Sequence, residues 1–227
     1  MIRLTDVLVS FLALLALSPL LAVTAILLRA TGEGEVFFLQ KRIGRNGDAF
    51  SLIKFATMRK DSPSTGAGEI TLLNDERVLP IGRFLRKSKI NEIPQLINVM
   101  KGDMSLIGYR PQTQKYWDCF TKSQQQALAR YRPGLSGMSS ILLRDEEAYL
   151  AHFSDPIAAD ETLLMPFKGR VEVWCTENIS YVLYIKLILL TVIKVLLPNS
   201  TSFSFLIGKM SSFQKELDEI LNLNARG

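Results

Sequence analysis

Between Lys41 and Arg132 the sequence sets basic side chains at close intervals: Lys41, Arg42, Arg45, Lys54, Arg59, Arg83, Arg86, Arg110 and Arg132. Asp75, Glu76, Glu92 and Asp103 are interleaved with them. Guanidinium forks match phosphate oxygens, and lysine supplies a point charge. A few carboxylates in such a setting suit Mg2+, which takes one or two of them and completes its shell from substrate phosphates. A solvated charged face accounts for the same run, and composition does not choose between the two. Scarcity narrows the chemistry further. The single histidine, His152, leaves almost no material for a His-based triad or metal site. Cys119 and Cys175 have no C-x-x-C partner and read as reduced thiols of a cytoplasmic protein. No G-x-x-x-x-G-K-[ST] and no G-x-G-x-x-G occurs, so P-loop and dinucleotide chemistry fall away.

The elements that must position these groups are legible in outline. Glu35 to Arg42 has strand character, Gly44 to Gly47 is a hairpin turn, and Ala49 to Phe55 is the return strand. Ser62 to Gly68 is a polar loop. Val78, Ile81, Phe84 and Leu85 recur at helical spacing, with Arg83, Arg86, Lys87 and Lys89 facing elsewhere. Glu92 to Met100 continues as a helix opened near Pro94 and stopped at Gly102. Gln124 to Tyr131 is a short helix ending before Pro133. Ile179 to Leu197 is apolar but carries Lys186 and Lys194, which fits a helix in the headgroup plane as well as a buried core helix. Ser211-x-x-Gln214 resembles a capping box ahead of an apolar stripe, Phe213, Leu217, Ile220 and Leu221. That stripe suits docking on the domain, the membrane or a second subunit, and so makes a homodimer worth testing.

The chain has 227 residues, 48% of them hydrophobic and 22% charged, enough for one domain with a short appendage and too apolar for disorder. Its net charge of +5 suits nucleic acid, anionic lipid or phosphorylated small molecules alike. With no groove-reading or stacking motif, no nucleic-acid partner is expected. The apolar excess concentrates in Val7 to Leu28, an uncharged run followed by Arg29. Asp6 and a lone Arg3 make a poor signal-peptide start. Two readings stay open: a straight span, with Arg29, Lys41, Arg42 and Arg45 keeping the rest cytoplasmic, or a re-entrant hairpin broken at Ser18-Pro19.

The order of residues adds a resemblance. Asp75 to Pro111 reads DERVLPIGRFLRKSKINEIPQLINVMKGDMSLIGYRP, and RPGLSG follows at Arg132 to Gly137. This resembles the signature block of the bacterial sugar transferases, the monotopic polyprenyl-phosphate phosphoglycosyl transferases. QKRIGRNGDAFSLIKFATMRKD is similar to the family's substrate-side hairpin, with Lys54 and Arg59 in its usual basic positions. The resemblance covers roughly residues 1–140 and the apolar helix near 181–197.

The resemblance implies an α/β, α-rich, membrane-associated domain with a re-entrant N-terminal helix broken at Ser18 and Pro19, a small β-hairpin and amphipathic interfacial helices. It divides the chain into a membrane helix over 1–30, a catalytic-type domain over 31–198 and a tail over 199–227. It implies transfer of a sugar-1-phosphate from a UDP-sugar to a polyprenyl phosphate such as undecaprenyl phosphate, with Mg2+ as cofactor. The place is the cytoplasmic face of a bacterial inner membrane, in contact with membrane lipid. An Asp-Glu dyad would act by covalent catalysis. Here Glu92 is the dyad's surviving acid and candidate metal ligand, while Asn91 stands where the family has its nucleophilic Asp. Lys54, Arg59, Arg86, Arg110 and Arg132 are the candidates for holding diphosphate or lipid phosphate. A carboxamide is a poor nucleophile toward phosphorus, so Asn91 leaves three readings: an engineered trap of an active transferase, a natural loss leaving an inactive homologue that binds substrate and supports a partner, and a transferase in which Glu92 is the nucleophile. Tyr109 is a second departure, standing where the family usually has Pro. Ile141 to Trp174 reads as an insertion shaping sugar selection or an oligomer contact, or as a functionless surface excursion.

Overall fold

The computed structural model describes residues 1–62, 71, 75–197 and 208–224. The expected polar loop therefore lies, beyond Ser62, outside the described residues. In chain order the elements are α1 (Ile2–Thr31), β1 (Phe37–Ile43), β2 (Ala49–Phe55), α2 (Pro80–Lys87), α3 (Gln95–Lys101), β3 (Ser105–Ile107), α4 (Gln114–Trp117) and α5 (Lys122–Ala129). There follow β4 (Gly134–Ser136), α6 (Met138–Leu142), α7 (Glu146–Leu150), α8 (Pro156–Ala159), α9 (Met165–Glu177), α10 (Tyr181–Leu196) and α11 (Gly208–Asn224). The strands form two separate pairs, β1 with β2 antiparallel and β3 with β4 parallel. The architecture is thus helix-rich α/β, with the expected hairpin.

α1 inverts the usual amphipathic rule. Its polar residues Asp6, Ser10 and Thr24 are 1%, 0% and 3% exposed, while Leu4, Leu15 and Ile26 are 73%, 63% and 68% exposed. An apolar exterior with the polar side chains turned inward is the arrangement an apolar solvent favours. Helical residues continue through Ser18 and Pro19 without an intervening loop. Proline has no N–H for the carbonyl four residues back, and the Ser18 hydroxyl donates to that carbonyl, Leu15 O, at 2.8 Å. α1 is long and apolar enough to cross a membrane and is mostly exposed.

Both ends of α1 dock on the body. Near its start, the Arg3 guanidinium donates to the carbonyls of Val99 (2.6 Å) and Met100 (2.9 Å), in the last turn of α3. Near its end, Leu28 packs with Phe55 of β2 and Leu85 of α2.

One hydrophobic core joins the hairpin β1–β2, β3 and α3 to α11, with Tyr109, Trp117, Leu128, Met138, Phe167, Val171, Tyr184 and Leu187 among its buried residues. This corrects the reading of Ile141 to Trp174 as a surface excursion. Ile141, Leu142, Leu150, Leu164, Met165, Phe167 and Val171 are all buried in that core. Their irregular spacing across short helices and a π-helical turn at Asp160–Leu164 conceals one shared apolar face from any single period.

Three further expectations change. Glu92 to Met100 is not one helix: a 3-10 turn at Ile90–Glu92 precedes α3, which begins only after Pro94. Pro94 has no N–H for the Ile90 carbonyl, which instead accepts from Ile93 N–H at 3.1 Å. Ser211 caps nothing, because α11 begins at Gly208. The stripe behind it docks inside the chain, with Phe213 and Leu217 buried in the main core and Arg170 paired to Glu216. The expectation of a homodimer thereby loses its structural motive. α10 is a core helix on one face, with Tyr184, Leu187 and Leu190 buried, while Val182, Leu189, Val192, Val195 and Leu196 remain exposed on the other.

Candidate active site

Antiparallel pairing sets Arg42 opposite Phe50, Gln40 opposite Leu52 and Phe38 opposite Lys54. Cross-strand partners share a face, so Arg42, Gln40, Leu52 and Lys54 project to one side of the hairpin. Arg42, Leu52 and Lys54 meet Gln95, Arg110 and Pro111 there and line a small cleft. Gln40 accepts from the Arg42 guanidinium at 2.6 Å, which orients that fork.

Next to this cleft, joined to it through Lys54 and Arg110, is the turn that carries Asn91 and Glu92. It is entered through Lys89 in the left-handed region (φ 59°, ψ 11°), an unusual conformation for a residue with a Cβ. Glu92 Oε1 lies 3.4 Å from Arg110 Nη2 and 3.9 Å from Lys54 Nζ. Burial alone would raise the Glu92 pKa. Arg110, Lys54 and Lys89 outweigh it and hold the carboxyl near 2. Lys54 moves the other way: burial pulls its ammonium down to about 7, against the attraction of Glu92 and with the repulsion of Arg42, Arg110 and Arg86. Burial also lowers Lys89. A cleft in which cations destabilise one another is poised to take up an anion.

Asn91 is 6% exposed, and its Oδ1 is buried without a hydrogen-bond partner. An orphaned buried acceptor beside an ionised carboxylate is a donor pair for a hard cation. Among the described residues no three His, Cys, Asp or Glu side chains come together as a metal cage. The donor set therefore fits an ion such as Mg2+ only when its remaining ligands are water and substrate phosphate.

The other sequence candidates are distributed differently. Arg86 sits at the rim, its Nη2 3.0 Å from Glu147 Oε1 of α7. Arg59 is exposed and pairs with Asp61 at 3.3 Å, its backbone N–H bonded to Arg77 O. Arg132 donates through Nε to Gly102 O at 2.8 Å and so braces the end of α3. The structure thus brings Lys54, Glu92 and Arg110 together, with Asn91 beside Glu92 in the same turn and Arg86 paired to Glu147, and places Arg59 and Arg132 on other partners. Asp75 and Arg77, part of the quoted motif, form a buried pair at 2.6 Å that also holds Ser62 O.

Sequence reasoning set Arg42 in the basic run without assigning it to the site, and passed over Lys89, Gln95 and the buried Glu172 on α9, whose carboxylate accepts the Arg110 N–H. The even-numbered register of the hairpin was enough to associate Arg42 with Lys54. For Glu172, the signal in the sequence is its place between Val171 and Val173 in α9.

A family model described as bacterial sugar transferase matches residues 1–198. The chain belongs to the bacterial sugar transferase family. Among relatives, the "uncharacterized sugar transferase EpsL" of Bacillus subtilis (strain 168) is 34% identical over 198 residues, 87% of this chain and 88% of that one. The UDP-N-acetylgalactosamine-undecaprenyl-phosphate N-acetylgalactosaminephosphotransferase of Aeromonas hydrophila is 38% identical over 139 residues, 60% of this chain and 33% of that protein. The undecaprenyl-phosphate glucose phosphotransferase of Komagataeibacter xylinus is 39% identical over 144 residues, 61% of this chain and 27% of that one. The matched segment is thus a third or less of the last two proteins. In this bacterial sugar transferase the turn at Glu92, with Lys54, Lys89 and Arg110 around it, lies within the matched residues.

Proposed function

We propose that the chain transfers a sugar-1-phosphate from a UDP-sugar to a polyprenyl phosphate such as undecaprenyl phosphate, starting a surface polysaccharide at the membrane. The anhydride between the donor's α- and β-phosphorus breaks, a bond from the lipid phosphate to the β-phosphorus forms, and UMP leaves. The observation that carries this reading is the group of cations at Glu92, where Arg110, Lys54 and Lys89 converge on one carboxylate beside a cleft that Arg42 also lines. Those cations would hold the diphosphate and stabilise charge as the anhydride breaks. The names of the relatives support the donor and acceptor classes.

Asn91 Oδ1 and Glu92 would supply the protein's ligands to Mg2+. The ion, when bound, neutralises the diphosphate and the leaving UMP. The exposed apolar surface of α1 and α10 would lie in lipid and hold the cleft at headgroup depth, on the cytoplasmic side of the inner membrane. Docking of both ends of α1 on the same body, with residues 15–20 away from it, supports entry and exit through one leaflet face.

A second reading is favoured by one observation: the carbonyl oxygen at the nucleophile position is uncharged and buried. An inactive homologue would still bind donor or lipid phosphate through the same cations. The deciding experiment measures UMP release from a panel of UDP-sugars, with and without undecaprenyl phosphate and Mg2+, for the chain, Asn91→Asp and Glu92→Gln. Lipid-dependent release by the chain itself, abolished in Glu92→Gln, is the expected result. Release only after Asn91→Asp selects the inactive homologue. Silence from all three, with no UDP-sugar binding, overturns both.

A further inference from the structure

Glu172 lies on α9, 2% exposed, behind the cleft. Its Oε1 accepts the Arg110 backbone N–H at 3.1 Å and also the Ser139 hydroxyl from α6. Its Oε2 is buried without a partner. A carboxylate in a hydrophobic core with one oxygen unsatisfied is a poor stabilising device, since burying the charge outweighs what a few hydrogen bonds return. Such a group calls for another explanation.

The backbone around Arg110 supplies it. Gly108 N–H donates to Ser136 O at 3.0 Å and Gly134 N–H to Tyr109 O at 2.8 Å. A Cβ on Gly134 would fall 2.1 Å from Gly108 N, and one on Gly108 2.5 Å from Arg132 O, so these strands touch backbone to backbone. That contact fixes residues 108 and 109. Pairing of β3 with β4 ends at Ile107 and Ser136, so the Arg110 N–H lies beyond the ladder, and Glu172 receives it. From that fixed N–H the Arg110 side chain reaches Glu92 and the cleft.

We propose that Glu172 is a positioning residue that sets the Arg110 guanidinium over the phosphate cleft by clamping the Arg110 backbone. It touches no substrate; it acts through Arg110 alone. Burial pushes the Glu172 carboxyl up to about 7, with Ser139, the Arg110 amide and the charges of Arg110 and Lys168 opposing that rise. The acceptor at Oε1 is present in either protonation state. The proposal rests on the reading of the cleft as a phosphate site.

The test uses the full chain in detergent micelles, with UDP as the probe. Glu172→Ala weakens UDP binding by about tenfold, and Glu172→Gln, which keeps an acceptor oxygen, stays within about threefold of the parent. Glu172→Met fills the same space without an acceptor and replaces the alanine variant should that fail to fold. In an Arg110→Ala background, which keeps the backbone N–H but not the guanidinium, Glu172→Ala changes affinity by less than about twofold. An equal loss in both backgrounds, or no loss in either, overturns the proposal. Amide hydrogen exchange at Arg110 separates this from failure of the phosphate reading. If the parent chain does not bind UDP, the phosphate reading falls. Arg110 protection lost in Glu172→Ala and retained in Glu172→Gln then still supports the clamp, and unchanged protection overturns it.

Discussion

Asp6 offers the sharpest test of how α1 is joined to the body. Its carboxylate, 1% exposed, accepts from Leu106 N–H at 2.9 Å, from Ser105 Oγ at 2.9 Å and from the Tyr184 hydroxyl. Three elements, α1, β3 and α10, therefore meet on one side chain. In Asp6→Ala the Leu106 N–H has no replacement. The two hydroxyls, 3.0 Å apart, can satisfy each other only in part. Two lost bonds to a charged acceptor at about 1.5–3 kcal/mol each, less the relief of burying one carboxylate fewer, put the cost at about 3 kcal/mol. For a chain of this size that is about 6–12 °C in the unfolding midpoint. Thermal unfolding in micelles, followed by circular dichroism, measures it. Asp6→Asn keeps an acceptor and is expected to lose about 1 kcal/mol. Tyr184→Phe combined with Asp6→Ala is expected to cost less than the sum of the two, because they share the bond. A midpoint for Asp6→Ala within about 2 °C of the parent, or strict additivity in the double variant, would refute the junction.

Further outcomes are expected elsewhere. Lys168 is buried between Glu146 (2.8 Å) and Asp160 (3.0 Å), so Lys168→Met leaves two acids without their cation and lowers stability by about 3–5 kcal/mol in the same assay. Glu172 titrates at an ordinary 4.5 when unfolded and at about 7 when folded, so the folded state holds its proton more tightly. Its contribution to stability is present in full below about 4.5, falls as pH rises toward 7 and is flat above, and Glu172→Gln should remove that slope from midpoints measured across this range. Gly134→Ala drives a methyl group into the Gly108 backbone and should abolish soluble expression or cooperative melting, whereas Gly47→Ala, with open space around it, should be milder despite its positive φ.

The hairpin, the order of the basic and acidic groups and the apolar N-terminal helix were legible in the sequence because each depends on local pattern. Strand character on either side of the Gly44 to Gly47 turn placed β1 and β2, and one uncharged run placed α1. The cleft was legible in part. Glu92 and Lys54 stand in recognisable motifs, but their pairing with Arg110 spans long sequence separations that no local period encodes. Arg59 and Arg132 have the residue type of phosphate ligands, yet Asp61 and the Gly102 carbonyl occupy them. Asp6 read from the sequence as a charge flanking a membrane run and is in fact the buried anchor of three elements.

The sequence by itself determined the family, the chemistry available and the absence of an aspartate at position 91. Those properties depend on residue identity and order, which folding does not change. Only the tertiary structure decided which arginines face Glu92, that residues 141–174 belong to the core, and that the α11 stripe is covered within the chain. Each of those depends on which surfaces meet. Meeting is a property of packing and of the close backbone approach at Gly108 and Gly134, set by contacts distant in sequence. Glu172 depends on tertiary structure most of all: in the sequence it is one acid in a helix, and its role exists only where α9 passes beneath the Arg110 amide.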